Sequence, residues 1–389
     1  MQLANGFFGT FISLRVALEN FDPTMAGLVL SSYFAGYTVG AIYCAPIIKR
    51  IGHIRSYAAF AGLVIAATAA MPLLVSPWPW LILRSIVGFG CAGVFVATES
   101  WLNAKAEPHQ RGRVFSRYMF GTFIALAFGQ LLIIGARVET STPFTSIVAI
   151  FAVALIIVST TRAEAPSTTD TPNLSGLQLL RAAPISVIGC TLSGLITGAF
   201  YALVPAWMQE GEIEQSTIAV SMLAAVLGGL LFQIPVGRLS DYLDRRLVLA
   251  LLGVGLAITA IALVFIPRSL AMILPVSALL GGFMSTLYPV CIAHAHDRMP
   301  LDRVVAVSGR LILVNGVGSI IGPLLGIILM SFCEINGVFY MIAAAAILLA
   351  ILSGGRSLLS TSPEHLERPF EILAPQAASL AHDPIDHKA

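Results

Sequence analysis

The sequence predicts an all-α membrane protein with twelve transmembrane helices in two pseudo-symmetric six-helix bundles. Hydrophobic residues make up 57% of the 389 positions and charged residues only 11%, whereas soluble domains carry roughly 25% charged residues. A bilayer explains this balance, because the lipid-facing sides of the helices must also be apolar. Two basic turns, at 45–55 and 237–246, each follow an apolar stretch and begin 192 positions apart. This offset is close to half of the chain and indicates an internal repeat.

Twelve apolar runs approach the roughly 20 residues that cross the hydrocarbon of a bilayer. The widest gap between them, 161–183, is rich in Thr, Pro and Ser and is predicted to be a cytoplasmic linker. It separates an N-terminal bundle, 1–160, from a C-terminal bundle, 184–353, and the polar residues 354–389 are predicted to form a disordered cytoplasmic tail. The predicted spans are 3–18, 24–46, 54–75, 80–102, 113–136, 142–160, 184–208, 216–238, 245–266, 271–293, 305–331 and 336–353.

The first predicted span is short. Twelve mainly apolar residues run from Leu3 to Leu14 before Arg15, and they give only about 18 Å of helix. Span 7 begins at Pro184, and subtracting the 192-residue offset places the counterpart start about eight residues before Met1. The hypothesis is that the sequence starts inside a truncated first helix, and the alternative is a short, tilted helix.

Lysine and arginine residues concentrate on one side of the predicted membrane. Eighteen of them lie in the loops after the even-numbered spans or in the tail, and three, Arg15, Arg137 and Arg268, lie on the other side. Because cytoplasmic loops carry the excess of positive charge, the even-numbered loops and both termini are predicted to be cytoplasmic.

The sequence shows no pattern of an enzyme or of a metal site. The five cysteines stand singly in apolar stretches, without the paired spacing of metal ligands. His294 and His296 lie two positions apart, so a helix would point their side chains in different directions. Neither a Walker loop nor a serine hydrolase arrangement is present. We therefore predict a protein that is not an enzyme, with no cofactor, no metal and no nucleic-acid partner.

The turn at the end of span 8 reads G-R-L-S-D-Y-L-D-R-R. Its spacing of Gly237, Asp241, Arg245 and Arg246 resembles the signature loop of the major facilitator superfamily, a family of transporters. In that family the loop holds the cytoplasmic side shut in the outward-facing state, so the resemblance implies a gating role for these four residues. Asp244 departs from the pattern, because the family usually has glycine there.

The turn at the end of span 2 is a less complete copy of the same loop. It has Arg50, Gly52 and Arg55 at family positions, but Lys49 replaces the acid and Ala45 replaces the first glycine. An acid at a helix end can meet the positive N-terminus of a neighbouring helix, and a lysine cannot. The sequence therefore predicts two gating loops of unequal strength.

Further motifs support the same resemblance. R-x-x-x-G-x-G-x-A, from Arg84 to Ala92, is similar to the fourth-helix motif of the superfamily, and N-G-V-G-S-I-I-G-P, from Asn315 to Pro323, to its glycine-proline motif. V-L-S-S-Y-F-A-G, I-K-R-I-G-H-I-R-S-Y, A-T-E-S-W-L and T-L-Y-P-V resemble a bacterial branch called YcaD-like. The resemblance covers nearly the whole chain and implies the major facilitator fold in the bacterial inner membrane.

Two charged residues, Arg84 and Glu99, lie inside predicted span 4. Charges within a membrane are functional candidates, because burying them unpaired is unfavourable. Arg84, Gly88, Cys91, Phe95 and Glu99 follow one stripe of a helix, although Arg84 and Glu99 are about 22 Å apart along its axis. Arg84 is predicted to bind an anionic substrate or to take part in proton coupling, and Glu99 to be a gate or relay. Snorkelling of Arg84 to the membrane surface and pairing of Glu99 with the basic loop remain the alternatives.

Polar residues on spans 1, 4, 7 and 10 rank as site candidates, because by the resemblance these spans line the central cavity. Thr197 and Tyr201 are four positions apart on span 7 and share a helix face. Asn5 is the counterpart of Thr197 in the repeat, and Tyr288 lies on span 10. These side chains could bind a substrate or hold helices together. Gln130 is interpreted as a packing contact.

The predicted function is secondary active transport of a small molecule by a monomer that works by alternating access and is coupled to protons. Glu99 and Glu19 are the carboxylates available for coupling. An anionic substrate would suit Arg84, and a hydrophobic drug would suit an apolar cavity. The rival interpretation is a non-transporting membrane receptor or assembly subunit, which Lys49 and the short first helix favour.

Overall fold

A computed structural model describes residues 1–107, 110–160, 176–300 and 303–359 of the chain. Within these ranges, helices joined by short turns make up the structure. The first six are α1 (Gln2–Leu18), α2 (Pro23–Ile51), α3 (His53–Ala70), α4 (Pro77–Lys105), α5 (Arg111–Leu131) and α6 (Thr142–Ser159). A short helix, α7 (Gly176–Ala182), precedes α8 (Pro184–Glu210), α9 (Gln215–Tyr242), α10 (Arg245–Phe265), α11 (Leu270–His296), α12 (Val304–Cys333) and α13 (Gly337–Leu359).

The long helices follow the predicted spans, with differences at some ends. Helix α5 ends at Leu131 rather than at 136, because residues 132–136 form turns. The short helix α7 lies in the predicted linker, and α13 continues six residues beyond the predicted end of the bundle at 353. The rest of the predicted tail, 360–389, lies outside the described residues.

Most of these helices are membrane-spanning by length and composition. In the described part of the chain, nine helical stretches are long and apolar enough to cross a bilayer, and one of them, Ala306–Gly355, covers most of both α12 and α13. Helix α1 falls short of them with 17 residues, and α5 carries Arg111, Arg113 and Arg117 near its start. Counting α12 and α13 separately, and adding α1 and α5, gives twelve long helices.

The turn between the first two helices of each half has the same backbone conformation. Asn20 lies after α1 with φ 51°, and Glu212 lies after α8 with φ 57°. A positive φ is uncommon for residues other than glycine, and these two positions are 192 residues apart. Helix α2 begins after Asp22, whose side chain accepts a hydrogen bond from the backbone N–H of Thr24 at 3.0 Å. The repeat inferred from the two basic turns therefore extends to their neighbouring loops.

Glycines bring the backbones of neighbouring helices into contact at equivalent places in both halves. A Cβ added at Gly36 of α2 would overlap the carbonyl oxygen of Ser85 on α4, and one at Gly228 of α9 would overlap that of Ala278 on α11. Gly36 and Gly228 are again 192 positions apart. Small residues permit such close packing between membrane helices, so α2 with α4 and α9 with α11 form matched helix pairs.

Gly36→Ala and Gly228→Ala are each expected to destabilise the protein by roughly 1–3 kcal/mol, because the added methyl group must push two backbones apart. The readout is the midpoint of thermal unfolding of purified protein. Gly121→Ala on α5 is the control, since an added Cβ there meets no atom within 4 Å. Equal midpoints for Gly36→Ala, Gly228→Ala and Gly121→Ala would contradict the close approach.

The two halves meet mainly away from the basic turns, at what we call the non-basic end. Ser13 of α1 donates a hydrogen bond to the carbonyl oxygen of Ala202 on α8 at 2.6 Å. Gln215, the first residue of α9, donates to the carbonyl oxygen of Ala136 after α5 at 2.7 Å. Gly27 of α2 lies against side chains of α12. These contacts join three helix pairs across the interface and leave a cavity beside them.

Candidate functional site: a cavity between the two halves

A small cavity lies between the first half of the chain and helix α8. Its volume is about 50 Å³, and since a water molecule needs roughly 10–15 Å³ of such space, it can hold a few small groups. Helices α1, α2, α4 and α5 supply most of the wall. The lining residues are Asn5, Gly6, Gly9, Thr10, Ile12, Leu30, Tyr33, Phe34, Arg84, Leu126, Gln130, Tyr201 and Ala202.

Arg84 supplies the charge of this cavity. Its side chain is only 5% exposed, and its Cζ lies 5.2 Å from the ring centre of Phe8 and 4.8 Å from that of Tyr33. Both distances are in the range of a cation–π interaction. Arg84 therefore points into the protein and does not snorkel to the membrane surface, which was the alternative left open by the sequence.

No carboxylate pairs with the guanidinium of Arg84 among the residues that the structure describes. Its Nε is buried without a hydrogen-bond acceptor. None of the described residues that line the cavity carries a carboxylate. Burying a cation without a counter-charge is unfavourable by several kcal/mol, and the two aromatic rings offset only part of that.

The amide side chains of the cavity wall have their oxygens engaged. Thr10 donates a hydrogen bond to Oε1 of Gln130 at 2.5 Å, and the thiol of Cys91 lies 3.9 Å from Oδ1 of Asn5. The NH₂ group of each amide is thus the part left to contact a ligand. Gln130 belongs to the cavity wall, although the sequence indicated a packing contact.

Thr10 and Tyr33 also line the cavity, and the sequence analysis did not single them out. The spacing from Gly6 to Thr10, four positions on α1, places Thr10 on the helix face that carries the cavity glycine. That spacing could have identified it. Tyr33 could not have been found in this way, because its role depends on how α2 packs against Arg84 of α4.

The other predicted candidates fall into two groups. Tyr201 of α8 lines the cavity together with Asn5 and Arg84. Thr197 and Tyr288 are buried outside the lining, and their hydroxyl groups have no hydrogen-bond partner among the described residues. The structure thus brings together three of the six predicted substrate or coupling residues, with Glu99 also outside the lining.

Glu99 lies at a second position, on α4 and outside the lining of the cavity. Its side chain is fully buried. Its carboxylate is close enough to act electrostatically on the hydroxyl groups of Tyr37, Tyr118 and Tyr288. Tyr37 and Tyr118 belong to the first half and Tyr288 to the second, so a charge on Glu99 acts across the interface.

In the second half, the predicted gating loop is tied to a third helix by ion pairs. Arg245 at the start of α10 lies 2.8 Å from Asp297 at the end of α11 and 3.6 Å from Asp241 near the end of α9. The Arg245 side chain is only 4% exposed. Gly237 lies one turn before Asp241 and is buried. The loop therefore fixes α9, α10 and α11 to each other at the basic end.

Asp244 and Arg246 form a second ion pair in the same loop. The carboxylate of Asp244 accepts hydrogen bonds from the backbone N–H of Arg246 at 2.8 Å and from its side chain at 2.7 Å. Burial alone would raise the pKa of Asp244, but these bonds hold the pKa below its ordinary value. The pair therefore stabilises the fold at neutral pH, and this contribution is lost as the pH falls through the folded-state pKa.

In the first half, the equivalent loop is exposed. Lys49, Arg50 and Arg55 all lie on the surface. Gly52 ends α2 with φ 86°, a conformation that glycine adopts without strain. The link from this loop to α4 is a hydrogen-bonding contact of 3.0 Å between His53 and Ser100. Buried ion pairs thus anchor the loop of the second half, whereas the charged side chains of the first-half loop are exposed.

The chain matches the family model of the Major Facilitator Superfamily over residues 1–227 and 186–371. The chain belongs to the Major Facilitator Superfamily. The uncharacterized MFS-type transporter YcaD of Escherichia coli O6:K15:H31 (strain 536 / UPEC) is 30% identical over 354 residues, which cover 90% of this chain and 92% of that protein. YcaD of Shigella flexneri shows the same identity and coverage.

Solved transporter structures share the fold of this superfamily member. A mutant form of the nucleoside transporter NupG aligns with a TM-score of 0.78 at 13% identity, over 92% of this chain and 97% of that one. A bacterial homolog to the human lysosomal transporter Spinster, in an inward-facing and unoccupied conformation, aligns with a TM-score of 0.64 at 16% identity, over 92% and 95%.

Membership in the superfamily makes the chain a membrane transport protein. It is a YcaD-like, multi-pass protein of the bacterial inner membrane with a small-molecule substrate. Among residues 1–107, 110–160, 176–300 and 303–359, no group of three or more His, Cys, Asp or Glu side chains is arranged to hold a metal ion.

Proposed function

We propose that this superfamily member is a monomeric secondary active transporter that moves a small molecule across the inner membrane by alternating access, coupled to protons. In this proposal both termini are cytoplasmic and the basic turns face the cytoplasm. The observation that carries it is the cavity between the halves, with Arg84 buried in its wall and only 5% exposed. A charge held inside a membrane protein without a protein partner suits a site for a ligand.

Alternating access requires an interface that can open on either side, and the contacts at the non-basic end suit this requirement. One of them is a hydrogen bond from Ser13 to a backbone carbonyl oxygen, and another is the side chain of Gln215, which donates to the carbonyl oxygens of Ile133 and Ala136. Such bonds contribute only about 0.5–1.5 kcal/mol each, so they can break and reform during a transport cycle. Conformational change in transporters of this type is largely rocking of one bundle against the other.

Glu99 is the proposed proton carrier. Its buried carboxylate acts on tyrosines of both halves, so gaining or losing a proton changes the electrostatics of the interface itself. Glu19, the other candidate, forms an ion pair with Arg15 at the end of α1. A carboxylate with a fixed cationic partner is less suited to exchange a proton during each cycle.

The test is a flux assay with purified protein in proteoliposomes that enclose a pH-sensitive dye. A pH gradient is imposed in either direction, and a panel of metabolites and drugs is added one compound at a time. We expect at least one compound to move protons with it, at a rate well above that of protein-free liposomes. The absence of coupled flux for the whole panel would contradict the proposal.

One observation favours a second function. Lys49 occupies the position of the family acid and is exposed, which suits a membrane receptor or assembly subunit that has kept the transporter fold. The flux assay separates the two functions, because a receptor would bind compounds of the panel without moving protons or substrate.

The second-half gating loop is expected to matter more for transport than the first. Asp241→Asn removes a carboxylate that lies 3.6 Å from Arg245, a side chain that is only 4% exposed, whereas Lys49→Asn changes an exposed side chain. We expect Asp241→Asn to lower the transport rate several-fold more than Lys49→Asn, at equal amounts of folded protein. The opposite order would refute the predicted inequality of the loops.

A further inference from the structure

The cavity at Arg84 offers a ligand a positive charge and amide hydrogen-bond donors, beside the hydroxyl groups of Thr10, Tyr33 and Tyr201, which can donate or accept. The acceptor atoms of Asn5 and Gln130 are engaged by Cys91 and Thr10, which leaves their NH₂ groups as donors. Arg84 adds its guanidinium, whose Nε–H meets no acceptor among the described residues and whose cavity neighbours include no carboxylate. The part of a ligand that meets Arg84 and these NH₂ groups must bring acceptor atoms.

Arg84 also differs from the other deeply buried arginines that the structure describes. Arg245 is 4% exposed and lies 2.8 Å from Asp297, and Arg246 is 2% exposed and lies 2.7 Å from Asp244. Each of these two buried arginines therefore has a carboxylate partner. For Arg84 the fold supplies the rings of Phe8 and Tyr33 instead. An aromatic face attracts a cation without neutralising it, so the positive charge remains available to a ligand.

We infer that this cavity binds a small carboxylate, and that the carboxylate group pairs with Arg84. The inference rests on the proposed function and names its substrate class. A guanidinium presents parallel N–H groups that match the two oxygens of a carboxylate. The NH₂ groups of Asn5 and Gln130 then receive a second acceptor of the ligand, such as a hydroxyl or carbonyl oxygen.

The size of the cavity restricts the ligand further. A volume of about 50 Å³ corresponds to roughly three to five water-sized groups. That space suits an acid of two to four carbon atoms and is too small for a hydrophobic drug in this conformation. Of the two substrate classes left open by the sequence, the structure therefore favours the anion.

The experiment measures binding to the purified full-length chain in lipid nanodiscs by titration calorimetry at constant ionic strength. The probes are acetate, lactate, inorganic phosphate and lactamide, the neutral amide of lactate. We expect lactate to bind, and to bind at least about tenfold more tightly than lactamide, because hydrogen bonds to charged groups are the stronger ones. Equal binding of lactate and lactamide, or binding of phosphate alone, would overturn the inference.

Two substitutions test whether the carboxylate group of the ligand binds at Arg84. Arg84→Gln is expected to weaken lactate binding at least tenfold, whereas Arg137→Gln, a matched change at an exposed position outside the cavity, should leave it unchanged. Asn5→Asp puts a carboxylate into the cavity wall itself. It should abolish lactate binding and raise the thermal midpoint, because Arg84 gains an internal partner. Lactate binding of wild-type strength in Asn5→Asp would contradict the proposed site.

The failure of this inference is distinguishable from the failure of the proposed function. Proton-coupled flux of a neutral compound, with no binding of lactate or acetate, would contradict the inferred carboxylate ligand and still support the proposed transport function. Lactate binding that depends on Arg84, without flux of any compound, would support the carboxylate site and count against transport.

Discussion

Arg84→Met is expected to lower the rate of substrate transport by at least about 100-fold. Methionine keeps the long apolar stem that packs against Phe8 and Tyr33 but removes the charge. Losing two hydrogen bonds to a charged group corresponds to about 3 kcal/mol or more, and each 1.4 kcal/mol is a factor of about ten. The measurement is the initial rate of uptake in proteoliposomes that contain equal amounts of folded protein.

The thermal midpoint of the same variant separates a ligand-binding role from a structural one. Replacing an unpaired buried charge with an apolar side chain of similar size is neutral or stabilising. We therefore expect Arg84→Met to unfold at the same temperature as the wild type or higher, while transport is lost. A lower midpoint together with normal transport would show that the aromatic contacts of Arg84 serve stability alone. Arg137→Met, at an exposed position, is the control for removing a charge.

Glu99→Gln is expected to abolish accumulation of substrate against its gradient while exchange of substrate across the membrane continues. A gradient of one pH unit supplies about 1.4 kcal/mol per proton, enough for about tenfold accumulation. Glutamine has nearly the shape of the acid but cannot carry a proton, so accumulation should fall to equality of the two sides. Steady-state uptake under an imposed pH gradient measures the first effect, and counterflow without a gradient measures the second.

Glu19→Gln is the matched control for this prediction. It makes the same chemical change at a carboxylate that is paired with Arg15 at the edge of the bundle. We expect normal accumulation in this variant. Loss of accumulation in Glu19→Gln, with Glu99→Gln unaffected, would move the coupling site to the end of α1.

The positions of the helices could be predicted from the sequence because they depend on local properties. Apolar length and turn residues determine where a membrane helix begins and ends, and the helix beginning at Pro184, for example, starts as predicted. The end of α5 was wrong by five residues, since the apolar segment after Leu131 forms turns instead of helix. There Gln215 of the other half binds the carbonyl oxygen of Ala136, and no local pattern encodes such a tertiary contact.

The candidate site could be predicted only in part. Arg84 stood out because a charge inside an apolar span is rare, and Asn5 and Tyr201 followed from their places on helices that line the cavity in this superfamily. Tyr33 did not, because an aromatic residue on an apolar helix looks like any other packing residue until its neighbour is known. Likewise, Glu99 and Tyr288 lie on different halves of the chain, and only the folded arrangement shows that they are close.

The glycine contacts described above have a mechanical consequence. At Gly36 and Gly228 the backbones of α2 and α4, and of α9 and α11, touch with no side chain between them, so we expect each pair to move as one rigid unit. Glu99 and Tyr37 lie on the first of these helix pairs, and Tyr288 lies on the second. A rotation of one helix pair against the other would therefore change the distance from Glu99 to Tyr288 directly, because neither pair deforms internally.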